Sequence, residues 1–406
     1  MNWHLHRFKW RLLPGGLTSL AIALLLQTGA FQPLEQIAYH NLFRMRGEHP
    51  WDDRLVLVAI DDASIQQLGR FPWSRQQYVK LLNVLSEADS SIVVIDLIWS
   101  ESSSRDAELA EAMLRHGQVV LAQAWDSTGL PLSPVPLLAD AAIATGHILK
   151  DKEPDGSVRQ IDLQIQSQPA LGVAAIQAYG LVQQPIPLPD LNQQFQINWV
   201  GSIKQLPHYS FVDVVQGKIS PSVFQHKIVV VGVSASGFDS LVTPFDQSSP
   251  PGSVLLHTTV INNLLQQDIL HSLNLGWLIV IFLVGGPGLG WILSSCGVRQ
   301  QLAIISGLCG GWLILSVLLL QANYLSPVAL PIALFTTTAA TVAISERLRE
   351  NHLLHQQVER LWSRYRQDLV VSFTEFSDPL IPLQTSTLPQ PREAMGRVTQ
   401  LAVLAE

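Results

Sequence analysis

Four short apolar runs punctuate the first part of the chain. Leu55 to Ile60 (LVLVAI) and Ile92 to Ile95 (IVVI) are apolar throughout and each is followed by aspartate; Val119 to Ala122 and Ile228 to Val233 have the same character. Strands apolar on both faces belong to a parallel sheet that is covered on both sides. A helical pattern from Ser74 to Ala88 separates the first two runs, and further helices are predicted near Asp106 to Arg115, Ala170 to Tyr179 and Ser253 to Gln267. Val158 to Ile165 and Phe195 to Trp199 alternate apolar and polar side chains, as antiparallel or edge strands do. These elements predict one mixed-sheet α/β domain with no internal repeat.

Outside that domain the apolar runs are much longer. Residues 12 to 34 carry no charge, nor do 272 to 298, and after Arg299 the 46 residues from 300 to 345 are again uncharged. A hydrocarbon layer of ~30 Å takes roughly 20 residues of helix, so the last run suits two spans, with Gln321, Ala322, Asn323, Tyr324 and Pro327 as the turn. The fold class predicted is therefore an α/β mixed-sheet extracytoplasmic domain plus four transmembrane α-helices. The expected layout is a cytoplasmic N-terminus at 1–11, a span at 12–34 and the outer domain at 35–271. Spans at 272–298, 300–321 and 324–345 follow, then a juxtamembrane helix at 346–370 and, over 371–406, a linker and the start of another helix.

Charge supplies the orientation and removes some functions. Arg7, Lys9 and Arg11 precede the first span, Arg299 lies between the second and third, and Arg347, Arg349, Arg360, Arg364 and Arg366 follow the fourth. Basic residues beside spans stay inside, so both ends are expected in the cytoplasm and the domain outside, in a multi-pass protein of the cell's inner (plasma) membrane. A cleaved signal peptide, with Thr28 and Ala30 at the cleavage site, is the alternative for the first span and leaves the domain outside as well. Only 14% of the 406 residues are charged, against about 25% in a typical soluble chain. Residues 32 to 271 hold 14 Lys+Arg against 24 Asp+Glu. An acidic outer domain lacks the basic face that nucleic acid requires. Cys296 and Cys309 both fall in the apolar C-terminal third, which leaves the domain no disulfide framework or thiolate metal site.

Candidate chemistry gathers at predicted strand ends. Asp61 and Asp62 follow the first strand and Asp96 the second; three carboxylates beyond the carboxyl ends of parallel strands could bind a cation or polar ligand, or each could cap the helix that follows, a role that suits Asp62 well. In RFPWSR, Arg70 and Arg75 flank a turn in which Trp73 anchors the chain and Ser74 caps a helix; the arginines could clamp an anion or pair with nearby acids. Asp155, Gly156 and Arg159 form a tight turn entering a strand, and His257 lies in a predicted helix, where a lone histidine commonly has a structural role. No metal or cofactor is expected. The Asp61–Asp62–Ala63 sequence lacks the Asp-x-Asp arrangement of an aspartate-nucleophile phosphatase.

Taken in order, NLFRMRG (41–47), VAIDDASIQQLGRFPWSR (58–75), IVVIDLIWSE (92–101), DAELAEAM (106–113), PDGSVR (154–159), IVVVGVSA (228–235) and DSLVTPF…PGSVLLHTTVINNLL (239–265) resemble the type 2 CHASE domain, the cyclase and histidine-kinase associated sensory extracellular domain. The resemblance spans about 41 to 265, and RFPWSR and PDGSVR are its most specific pieces. Thr258 stands where that family more often has alanine. The resemblance implies extracytoplasmic sensing in a bacterial signal-transduction protein of the two-component type, with one span before the sensor and three after it.

Beyond Ser345 there are 61 residues without a phosphate-binding loop, kinase catalytic loop or Gly-rich ATP lid. The expectation is a sensor without catalysis of its own, acting through a partner protein or through an output domain beyond a truncated end. Leu354, Val358, Leu361 and Tyr365, spaced 4, 3 and 4, suit a short paired signalling helix in a homodimer; a basic helix on the inner leaflet is the other reading. Phe373 to Gln390 reads as a linker and Pro391 opens a helical stretch. Two other functions remain open: an envelope interaction protein whose outer domain docks a protein partner, and an extracytoplasmic metal-dependent hydrolase.

Overall fold

The computed structural model describes residues 2–247, 251–273 and 275–375, which divide into two compact units between Ala343 and Ile344. The apolar runs become strands of one seven-stranded sheet: β1 (Leu55–Ile60), β2 (Ile92–Ile98), β3 (Val119–Trp125), β4 (Ala144–His147), β5 (His208–Ser210) and β6 (Ile228–Val233). Their order is β5-β1-β6-β2-β3, and β3 also pairs with β4; all are parallel except the two-residue strand Pro131–Leu132, which runs antiparallel to β3. The last strand in sequence thus lies between the first two.

Among the described residues the α-helices of seven or more residues are α1 (Asn2–Gln27), α2 (Gln32–Arg46), α3 (Asp62–Leu68), α4 (Arg75–Glu87), α5 (Asp106–His116), α6 (Leu171–Val182), α7 (Val254–Gln266), α8 (Leu275–Leu293), α9 (Val298–Gln321) and α10 (Ala329–Glu375). Strand alternation divides the core in two. Leu55, Leu57, Ile92, Val94, Ile228 and Val230 pack under α6 and α7 with Phe43 and Leu42 of α2. Val56, Val58, Val93, Ile95, Val229 and Val231 pack under α4 and α5. Each fully buried large aliphatic side chain contributes roughly 1.5–3 kcal/mol, which explains why these strands are apolar on both faces.

Two expectations change. The alternating stretch Val158 to Ile165 is not one strand: Gln160–Asp162 pairs with Gln194–Gln196 and Gln164–Ile165 with Gln168–Pro169. The uncharged run 12–34 is not one helix either. α1 ends at Gln27, Gly29 turns the chain with a φ of +70°, and Pro33 sits in the first turn of α2, which packs on the α/β domain through Tyr39, Leu42 and Phe43. Absence of charge marks apolar surroundings, and a turn can sit within them.

Among the described residues, α9 and α10 are the helices long and apolar enough to cross a membrane, while α1 and α8 carry shorter apolar stretches, Leu12–Leu26 and Ile279–Leu293. Small residues join α1 to its neighbours, as they do in helix pairs that pack closely in apolar surroundings. A Cβ on Gly15 would lie 2.0 Å from the Gly286 carbonyl oxygen, Ser19 Oγ donates to the Phe282 carbonyl at 3.1 Å, and the hydroxyls of Thr18 and Thr338 are 3.0 Å apart. Ile22, Phe282, Leu330 and Leu334 form the apolar core of this bundle. The turn between α9 and α10 falls where expected, with Asn323 at a φ of +64° and Tyr324–Leu325 paired to His271–Ser272.

The described part of the second unit, residues 344–375, is helical to Glu375, past the expected end at 370. Leu354, Val358, Leu361 and Tyr365 are all exposed on it. The remainder of the expected linker and the helical stretch from Pro391 lie outside the described residues.

Candidate functional site

The carboxyl ends of β1, β6 and β2 meet along one edge of the sheet, and the polar residues there separate by face. Asp61 is the N-cap of α3: its Oδ1 accepts the Ser64 amide at 2.8 Å and the hydroxyls of Ser64 and Ser210 at 2.6 and 2.8 Å. Asp62, the residue better suited to capping by sequence, instead accepts the amide and hydroxyl of Ser236 at 3.0 and 2.9 Å and so holds the loop that follows β6. Arg75 belongs to the α4 face. Its Nε donates to Asp106 at 3.0 Å, its Nη2 to the Glu101 carbonyl at 3.0 Å, and its guanidinium lies 5.0 Å from the Trp99 ring centroid. Arg70 is exposed, while Trp73 is buried and donates to the Gly69 carbonyl.

Asp96 faces the opposite way. Alternation along β2 puts it on the side of Ile92 and Val94, beside Gly232 and Val254 at the start of α7. Burial pushes its carboxyl up to about 7; the Lys150 ammonium opposes that shift and the Asp239 carboxylate adds to it. Lys150 and Lys152 clasp Asp239 from two sides, with Nζ to Oδ2 at 2.5 Å and Nζ to Oδ1 at 2.8 Å, and Ser253 Oγ donates to Oδ2 at 2.7 Å. Burial works against the Asp239 charge, yet these donors hold its carboxyl well below the usual range. His257, one turn into α7, is 2% exposed, and neither ring nitrogen has a hydrogen-bond partner among the described residues; His147 at the end of β4 is 1% exposed. Burial first, and then the Lys150 charge, lowers His257 to about 3, while burial and the neighbouring His257 lower His147 to about 4. The result is a set of neutral imidazoles and a carboxyl titrating near neutrality around one strongly ionised carboxylate. Among the described residues no group of three or more His, Cys, Asp or Glu is placed to hold a metal ion.

Asp155 and Arg159 form a separate cluster against α2. Arg159 pairs with Asp155 through Nη2 at 2.5 Å and with Glu153 through Nη1 at 2.6 Å, and it lies over the Tyr39 ring. His40 Nε2 is 3.4 Å from Asp155 Oδ2 and 3.1 Å from Ser157 Oγ, and Gln36 Nε2 donates to Glu153 at 3.0 Å. Burial would raise Asp155, but the Arg159 bonds, the Ser157 amide and the guanidinium charge outweigh it and hold the carboxyl at about 2.

The eight residues singled out by sequence therefore do not form one cluster. Asp96 and His257 join the Asp239 group, Asp155 and Arg159 join α2, and Asp61, Asp62 and Arg75 hold local structure. Sequence reasoning missed Lys150, Lys152, Asp239 and His147. The lysines stand just ahead of PDGSVR and Asp239 opens DSLVTPF, so proximity to specific segments was a usable signal; His147 had none.

The two groups are joined by chain. The segment from the end of β4 onward carries His147, Lys150 and Lys152 at the strand ends, then Glu153, Asp155 and Arg159 at α2. The loop after β6 is tied to it as well, since the Val242 amide donates to the Gly156 carbonyl at 3.2 Å.

No curated protein and no solved structure matches this chain. The sheet carrying IVVIDLIWSE and IVVVGVSA, the PDGSVR turn and the α7 helix all fall within residues 17–290, which match the CHASE2 domain. The chain belongs to the CHASE2 domain family, whose members are extracellular sensory domains of signalling proteins.

Proposed function

We propose that this chain is a multi-pass sensor of the bacterial inner membrane. In this reading α1, α8, α9 and the first part of α10 are its four spans, both ends are cytoplasmic, and the α/β domain lies outside. A small polar ligand binds at the Asp239–Lys150–His257 group and separates Asp239 from its two lysines. The chain performs no catalysis; it passes the change to a cytoplasmic output domain or partner protein, as a homodimer, and needs no cofactor.

The observation that carries this reading is the grip of Glu35 on α10. Its Oε2 accepts the Val328 amide at 3.0 Å and its Oε1 the Leu330 amide at 2.9 Å, so an α2 carboxylate caps the helix that leads on to residues 344–375. The adjacent Gln36 holds Glu153, and Glu153 holds Arg159 in the segment that begins at the ligand group. Ligand binding can bias an output only through contacts that differ between two arrangements, and this chain of polar contacts can be made or broken. The one-sided Arg and Lys and the close packing of α1 with α8 and α10 support the four spans.

Reporter fusions at Gly129 and Arg366 test the topology, and a cytoplasmic-type signal at Gly129 overturns it. For the relay, Glu35→Ala is expected to change the rate at which Leu354→Cys chains cross-link in native membranes. An unchanged rate removes α2 from the path.

A further inference from the structure

Two cavities meet where α2 lies beside α9 and α10. The first, of about 310 Å³, is polar at one end, where Glu35, Glu153, Arg159 and Ser326 line it. The second, of about 480 Å³, is an apolar groove between α2 and α10 floored by Leu313 of α9. Leu42 and Val328 line both, so the two cavities adjoin as neighbouring parts of a cleft, and the charged side chains belong to the first. Each volume lies within the ~300–1,000 Å³ range of ligand pockets. The α2 wall of the groove is an apolar stripe open to the surroundings: Leu34, Ile37 and Met45 are 52%, 60% and 57% exposed.

We propose that this cleft binds one phospholipid with an ammonium headgroup, taken from the bilayer around α9 and α10. The groove opens along the two helices that are long and apolar enough to cross a membrane, so an acyl chain reaches it without leaving apolar surroundings. The polar end identifies the headgroup. Arg159 brings a guanidinium and Ser326 a hydroxyl to its lining, and both residue types suit phosphate oxygens. Glu35 and Glu153 keep lone pairs beyond the bonds they already accept, which suit an ammonium. Two carboxylates against one guanidinium leave a negative excess around the cavity, which disfavours a headgroup of net negative charge. Because Glu35 also caps α10, an occupied headgroup site borders the contact assigned to the relay.

The inference rests on the membrane placement of α9 and α10, which the reporter fusions test separately. The full chain, reconstituted in nanodiscs of mixed phosphatidylethanolamine and phosphatidylglycerol, is released and weighed by native mass spectrometry. One phosphatidylethanolamine retained per chain, enriched over the bulk ratio, is expected. Ala333→Trp, which fills the groove, is expected to lose it with the melting temperature unchanged. Thr336→Trp is a second block should the first variant fold poorly, and Glu153→Gln is expected to weaken the headgroup preference. Retention at the bulk ratio, no retained lipid, or an undiminished lipid in both folded tryptophan variants overturns the proposal. So does efficient disulfide formation between Ile37→Cys chains that excludes lipid, which would assign the groove to a second copy.

Discussion

Asn198 donates from its side-chain Nδ2 to the side-chain oxygen of Asn323 at 3.1 Å, so a buried residue of the α/β domain holds the turn between α9 and α10. Its own position is set from three sides. Arg46 Nη1 donates to its Oδ1, and its backbone exchanges bonds with the Asn263 side chain at 3.1 and 2.9 Å. Replacing Asn198 by Ala leaves Arg46 and Asn323 each short of a partner in a buried setting, at a cost of about 1–3 kcal/mol. We expect Asn198→Ala to lower the melting temperature of the detergent-solubilised chain and to speed proteolysis within residues 321–326. An unchanged cleavage rate would show that the turn is held by other contacts.

Asp96 predicts a pH dependence. Its folded value, about 7, exceeds the unfolded value of roughly 3.9, so between those limits the folded state binds the additional proton and stability falls as pH rises. Asp96→Asn removes that fall. With partial solvent access screening the effect, the variant should be more stable than wild type by about 1–2 kcal/mol above pH about 8, and equal to it near pH about 4. Chemical denaturation across that range measures it, and parallel curves would show that Asp96 ionises freely.

Arg159 predicts the opposite limb. Asp155 is held at about 2, below its unfolded value, so its ion pair stabilises the fold above pH about 4 and that contribution is lost as pH falls towards about 2. Arg159→Met leaves Asp155 and Glu153 without their cation, and the loss expected at neutral pH is about 2–3 kcal/mol. The difference from wild type should shrink in acid. A deficit independent of pH would attribute the loss to packing against Tyr39 alone.

The exposed stripe on the second unit predicts pairing. Cysteines at Leu354 or Leu361 should cross-link between chains in native membranes more readily than a cysteine at Gln357, on another face. Two heptads are marginal as an isolated pair, so the reaction should weaken in detergent. Equal yields at all three positions would make this stretch a surface anchor.

What the linear order of residues determined here is what depends on neighbours along the chain. LVLVAI, IVVI and IVVVGV are apolar at every position, the pattern of strands in a doubly covered parallel sheet. The turn at Asn323 and the Ser74 cap were legible for the same local reason, and the ordered CHASE2 segments carried the family. Tertiary structure alone decided which polar residues share a site. Asp61, Arg75 and Asp96 all stand near strand ends, yet the pleat sends Asp96 towards α7, the Arg75 guanidinium pairs with Asp106 on the α4 face, and Asp61 closes on α3. Asp239 meets Lys150 across 89 positions, and Glu35 meets Leu330 across 295. Contacts at such separations leave no periodicity in the sequence, because they arise when elements already formed are packed together, and packing fixes which charge lies beside which.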